Sequence, residues 1–180
     1  MIGVVGLPAS GKGEFSQVAE ELGIPVVVMG DVVRSAADAA GLGCDDASLG
    51  ELAGRLRREK GMDIIARETV AVVGKKSAPV VLVDGIRGDA EVETFRACFP
   101  DFVLIGIRAD IGARLSRMAA RGRSDATLCS GDLAVRDERE LSWGLGRALA
   151  RADYLLENSG TLDEFRRAAR TLLLRLTEGA

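Results

Sequence analysis

Histidine is absent from this chain of 180 residues. Its absence removes the commonest general base and excludes Ser-His and Cys-His nucleophile pairs, so any chemistry must run on other groups. Cysteine is scarce. Cys44, Cys98 and Cys129 are widely separated and odd in number, which gives neither a disulfide framework nor a CxxC-type zinc site and leaves reduced thiols as the simplest reading. Long apolar runs are missing too, and nothing approaches the roughly 20 residues of a membrane helix. The N-terminus enters the short apolar run 2–5 without a basic leader or cleavage site, so a cytoplasmic location with no membrane partner is expected. A charge excess is also lacking. The 24 basic and 27 acidic residues leave a net charge of -3, and no overall field favours a nucleic-acid partner. Only four of the basic residues are lysines, at 12, 60, 75 and 76.

What is present fits one domain. Apolar residues make up 47% of the chain and charged ones 28%, the balance of a single compact unit spanning 1–180. Short apolar runs recur at 2–5, 26–29, 80–83, 103–107 and 154–156, too continuous for half-solvated strands, and they predict five buried parallel strands. Between them lie segments of helical spacing, such as Ile111, Leu115, Met118 and Ala119, or Leu162, Phe165, Ala169, Leu172, Leu173 and Leu176. Ser48 with Glu51 and Thr161 with Glu164 have capping-box spacing, Asp110 can cap the helix it precedes, and Gly122 can close it. Alternation of this kind specifies an α/β fold with helices on both faces of the sheet. Two helical stretches within 31–73 exceed what one crossover needs and predict an inserted helical subdomain. The polar, glycine-containing stretch 121–132 predicts a short lid. Oligomeric state is left open.

Gly6-Leu7-Pro8-Ala9-Ser10-Gly11-Lys12 follows the first predicted strand and precedes a helix with apolar Phe15, Val18, Ala19 and Leu22. This is GxxxxGK in its proper setting. The glycines let successive N–H groups curl toward phosphate oxygens, the helix N-terminus adds its positive end, and Lys12 reaches the outer phosphates. An ordinary glycine-rich turn is the alternative. Where most such loops carry a Ser or Thr for magnesium, this one has Gly13, followed by Glu14; Ser10 and Ser16 are nearby hydroxyls. Asp84 closes the run 80–83 as a carboxylate able to hold magnesium or its water, the alternative being a buried Asp bonded to loop backbone.

The Gly11-Lys12-Gly13 run resembles the adenylate kinase branch of P-loop proteins. Gly30-Asp31-Val32-Val33-Arg34 is similar to that family's Gly-Asp-x-x-Arg, and Asp84-Gly85-Ile86-Arg87 resembles the Asp-Gly-x-x-Arg of nucleoside monophosphate kinases, one residue shorter. The resemblance implies an ATP and Mg2+ site formed by Gly6, Pro8, Ala9, Ser10, Gly11, Lys12, Gly13 and Glu14. It further implies an acceptor-binding function for the 31–73 insertion, through Asp31 and Arg34, and for Arg87 at the end of the third strand, with a surface ion pair as the alternative for either arginine. Arg114, Arg117 and Arg121 share one helix face, and Arg123 continues the series. Resemblance points to Arg117, Arg121 and Arg123 as lid arginines reaching the transferring phosphoryl group, with a solvated face as the alternative. Arg136 and Arg139 supply further charge or pair locally with the acidic residues around them. The segment 152–160 looks like the Ala-Asp, Asn-x-Gly stretch near the base in dephospho-CoA kinases, which implicates Asn158 and Gly160; both also suit a turn.

The chain looks most like an archaeal set of small kinases between these two families. The expectation is therefore ATP-dependent phosphoryl transfer to a small phosphorylated acceptor, a nucleoside monophosphate first and dephospho-CoA second. A nucleotide-binding regulator without acceptor is the rival from another class.

Overall fold

The computed structural model describes residues 1–120 and 130–178. β1 (Ile2–Val5) is buried at every position because it lies at the centre of the sheet, between β3 (Leu82–Ile86) and β4 (Val103–Arg108). β2 (Val26–Val28) and β5 (Tyr154–Glu157) form the edges, in the order β2-β3-β1-β4-β5, and every pairing is parallel. Parallel strands need covered crossovers, and two apolar layers supply the cover. On one face lie α1 (Lys12–Glu21) and α9 (Leu162–Thr177), burying Phe15, Val18, Phe165 and Leu173. On the other, α2 (Met29–Ala39), α3 (Asp46–Lys60), α4 (Ile64–Val73), α5 (Asp89–Cys98) and α8 (Leu145–Ala150) bury Met29, Leu52, Ile65, Phe95 and Leu145. α6 (Ile111–Ala120) follows β4, and α7 (Ser130–Ser142) leads into α8. None of the helices in the described residues is long and apolar enough to cross a membrane.

Several boundaries differ from expectation, each for a physical reason. β3 runs past Asp84 to Ile86, so the carboxylate sits inside the strand. The apolar run ends at Val83, but backbone pairing continues through a register shift opposite Val4 and Val5, and Gly85 takes the left-handed φ of 100° there. Met29 opens α2 instead of ending β2. Three helices, not two, fill the insertion, because Gly61 breaks the second stretch at φ 105°. α3 is capped by Asp45, whose carboxylate accepts from the amides of Ala47 and Ser48 at 3.0 Å each; the Ser48–Glu51 spacing lies inside the helix. β5 alternates, with Leu155 exposed, since α9 covers only one face of this edge strand. Asp110 does cap α6 by accepting from Ala113 N at 2.8 Å, and the Thr161–Glu164 capping box is complete. Gly122 and most of the 121–132 stretch lie outside the described residues.

Candidate active site

The glycine-rich loop joins β1 to α1 at the C-terminal edge of the sheet, where open α/β folds bind ligands. Its curl is held by Ser10 N donating to Leu7 O at 3.1 Å, by Ala9 at φ 61° and by Gly11 at φ 112°. The Lys12 ammonium lies across this curl, donating to the carbonyls of Gly6 at 2.6 Å and Leu7 at 3.1 Å. Around the outside, Arg114 Nη1 donates to Pro8 O at 3.2 Å, and the Asn158 amide donates to Ser10 O at 2.8 Å. Ser10 is buried, its hydroxyl without a partner among the described residues. A Cβ at Gly11 would overlap the Asn158 amide, whereas one at Gly13 would meet nothing within 4 Å.

That contrast gives a paired prediction. Gly11→Ala combines a left-handed backbone with displacement of Asn158 and should lose about 2 kcal/mol or more of stability. Gly13→Ala, in open space on the first turn of α1, should be neutral or stabilising by up to about 1 kcal/mol. Thermal denaturation of both variants, with and without nucleotide, checks the pair.

Asp84 stands beneath the loop. Ser16, one turn along α1 from Gly13, donates its hydroxyl to Asp84 Oδ2 at 3.0 Å, while Asp84 Oδ1 is buried without a partner among the described residues. A cleft of about 230 Å³ opens here, lined by Ala9, Gly11, Lys12 and Gly13 from the loop and by Arg34, Asp84 and Arg87 opposite. Residues far apart in the chain thus meet: donor-loop, carboxylate and acceptor-side candidates share one cavity. Arg34 is held by its helix neighbour Asp31, donating through Nε at 3.0 Å; both are solvent-exposed, so the pair orients more than it stabilises. Arg87 pairs with Glu140 of α7. Burial lowers the Arg87 guanidinium to about 10, with Glu91 acting in the other direction, so it stays cationic at neutral pH.

Other candidates lie elsewhere. Glu14 turns away from the loop and accepts from Arg166 of α9 at 3.0 Å; its carboxylate would repel phosphate, and the ion pair takes it to the other face of α1. Arg117 Nη2 donates to Asn158 O at 2.6 Å and Asn158 Oδ1 at 2.9 Å, bracing the back of the donor loop. Gly160 sits against Glu164 beside the α9 cap, outside the residues that line the cleft. Arg114 is buried and grips Asp137 of α7 with two bonds, at 2.9 and 2.6 Å, so the solvated-face reading fails for it. Arg136 and Arg139 both reach Asp46 of α3. Arg121 and Arg123 lie outside the described residues.

Sequence reasoning passed over the wall beside Arg87. Arg57 and Glu91 are buried and joined at 2.6 Å, and Glu91 also accepts from Arg87 N at 2.7 Å. Trp143 carries the Arg57 guanidinium 4.2 Å from its ring centroid, a cation–π contact that fixes the arginine's plane. The available signal was that Trp143 is the chain's single tryptophan.

Sheet order, loop and cleft together define a P-loop nucleoside-triphosphate-binding fold of the kinase-like kind. Residues 5–130 match the model of the family described as an AAA domain. Over 176 residues the chain is 56% identical to a UPF0200 protein of Methanoculleus marisnigri, covering 98% of this chain and 96% of that one. It is also 45% identical over 179 residues to a UPF0200 protein of Methanosarcina mazei, covering 99% and 96%. The chain belongs to the UPF0200 family, within that AAA domain family. Among solved structures it is similar to a gluconokinase from Sinorhizobium meliloti, with TM-score 0.59, 18% identity and coverage of 99% and 93%. A shikimate kinase from Acinetobacter baumannii in complex with shikimate has TM-score 0.59, 13% identity and the same coverage of 99% and 93%. At such identities the likeness is one of fold.

Proposed function

We propose that this protein is an ATP-dependent phosphotransferase that moves the γ-phosphoryl group to a small phosphorylated acceptor, a nucleoside monophosphate. The observation carrying this reading is the single cleft lined by Lys12 and Gly13 on one wall, Arg34 and Arg87 on the other, and Asp84 between them. Phosphoryl transfer needs positioning and charge neutralisation more than covalent chemistry, which suits a histidine-free site rich in arginine.

In this reading the loop amides cradle the donor's phosphates, and Lys12 turns from the carbonyls of Gly6 and Leu7 to phosphate oxygens. Arg34 and Arg87 orient the acceptor's phosphate, Arg117 braces the loop through Asn158, and Arg121 and Arg123 are the candidates for closing charge. Magnesium fits the donor set: it is commonly held by one or two carboxylates, substrate phosphates and several waters, and Asp84 retains one buried oxygen without a partner among the described residues. When bound, it neutralises charge on the β and γ phosphates. Ser16, by holding the other Asp84 oxygen, stands in for the hydroxyl that Gly13 lacks.

A coupled assay for ADP release across nucleoside monophosphates and dephospho-CoA tests the proposal. Acceptor-dependent ADP release with at least one nucleoside monophosphate is expected. Turnover with dephospho-CoA alone would replace the acceptor, and ADP release at one slow rate whatever acceptor is added would point to the regulatory reading.

A further inference from the structure

Arg34 and Arg87 both line the cleft opposite the donor loop, but they do not offer it the same atoms. Arg34 commits Nε, at 3.0 Å, and Nη2 to one oxygen of Asp31. Its Nη1 alone is left without a partner among the described residues. Arg87 is engaged the other way round: Nη1 pairs with Glu140 Oε1, while Nε and Nη2 have no partner among the described residues and neither is among the buried atoms left unpaired. With 32% of the Arg87 side chain exposed, those two nitrogens are what it can present to a ligand. They form one side of the guanidinium fork, a planar pair of donors that fits two phosphate oxygens at once.

Glu140 decides which side of the fork stays open. Its side chain is only 1% exposed, and Arg87 is the cation paired with it among the described residues. A carboxylate so deeply buried is strongly destabilising without its counter-ion, so this hold is firmer than that of Asp31, 63% exposed, on Arg34. The other end of Arg87 is fixed as well, because its backbone N donates to Glu91 Oε2 at 2.7 Å. Glu140 itself has a steady mount: α7 is tied by Asp137 to Arg114 and by Arg136 and Arg139 to Asp46. A carboxylate on the Nε and Nη2 side would compete with an incoming phosphate. Placed on Nη1, it leaves that side clear.

Building on the phosphotransferase reading above, we infer that Glu140 is a positioning residue for the acceptor: it holds Arg87 by Nη1 so that Nε and Nη2 grip two oxygens of the acceptor's phosphate. Arg34 adds a single contact through its remaining Nη1. The two arginines therefore differ in role, with Arg87 setting the orientation of the phosphate and Arg34 supplying charge.

The test measures kcat and KM of the full chain for AMP, CMP, GMP and UMP with ATP, alongside calorimetric titration of each monophosphate without donor. Glu140→Ala should raise the acceptor KM by about 10-fold or more, the scale of a misplaced binding group, and leave the KM for ATP within about 2-fold of wild type. Glu140→Gln keeps an oxygen beside Nη1 and should recover most of that loss. Arg87→Ala should raise the acceptor KM at least as far, and adding Glu140→Ala to it should bring no further loss, the pattern of two residues that act through one contact. Melting temperatures check folding; if Glu140→Ala does not fold, Glu140→Asp, which draws the carboxylate back by one methylene, takes its place in the cycle. A lower acceptor KM in the Glu140 variant would make Glu140 a competitor of the phosphate and overturn the inference. So would a full further loss on top of Arg87→Ala, or an equal rise in the KM for ATP and for acceptor. If the wild type turns over none of the four, the titrations decide: binding that follows the same cycle keeps the positioning role while sinking transfer to these acceptors, and absence of binding sinks both.

Discussion

Lys12→Ala should lower phosphoryl transfer by roughly 10²- to 10³-fold, the scale of losing one preorganised charge-stabilising donor, while leaving the fold intact. In the structure the ammonium donates to the carbonyls of Gly6 and Leu7, and it is partly open to solvent. The carbonyls it leaves can pair with water, so transfer should fall far more than the melting temperature does. Single-turnover kinetics with saturating ATP, set beside a thermal melt, separates the two effects. Full transfer to every acceptor that the wild type uses would remove the loop from the chemistry.

Glu91→Ala should have the largest effect on stability. Glu91 is fully buried and accepts at once from Arg57 Nη2 at 2.6 Å and from Arg87 N at 2.7 Å. Truncation leaves the Arg57 cation buried without its counter-ion, for which about 3–5 kcal/mol is the usual cost. For a chain of this size that corresponds to a fall of roughly 6–20 °C in melting temperature. Glu91→Gln keeps an acceptor in place and should cost less. Urea denaturation of both variants provides the check; equal stability of Glu91→Ala and wild type would mean that Arg57 finds another partner.

The two predictions rest on features of unequal visibility. The Lys12 loop was legible because its strand, glycines, lysine and helix follow one another within 2–21, although the braces from Arg114 and Asn158 come from far along the chain. The five strands and the helices on both faces were legible for the same reason, as runs and periodicities. Asp84 was recognised, although its position inside β3 was not, since an apolar pattern ends at a polar residue even where backbone pairing continues. Arg57 and Glu91 left no trace, being 34 positions apart and each reading as an ordinary charged helix residue. The pairing of Glu14 with Arg166 was not legible because the two stand 152 positions apart. Contacts of this range are made by packing, and periodicity carries no record of them.

Arg114 has a consequence for how the two halves of the site communicate. One side chain holds the Pro8 carbonyl of the donor loop and both oxygens of Asp137, while the same helix α7 carries Glu140 to Arg87 and Arg139 to Asp46 on the acceptor side. Pro8 of the loop is thus tied through Arg114 and α7 to Arg87 and Asp46 in one continuous chain of contacts. In the phosphotransferase we propose, thermodynamic linkage makes any coupling along this chain symmetrical: whatever factor ATP applies to acceptor affinity, the acceptor applies to ATP.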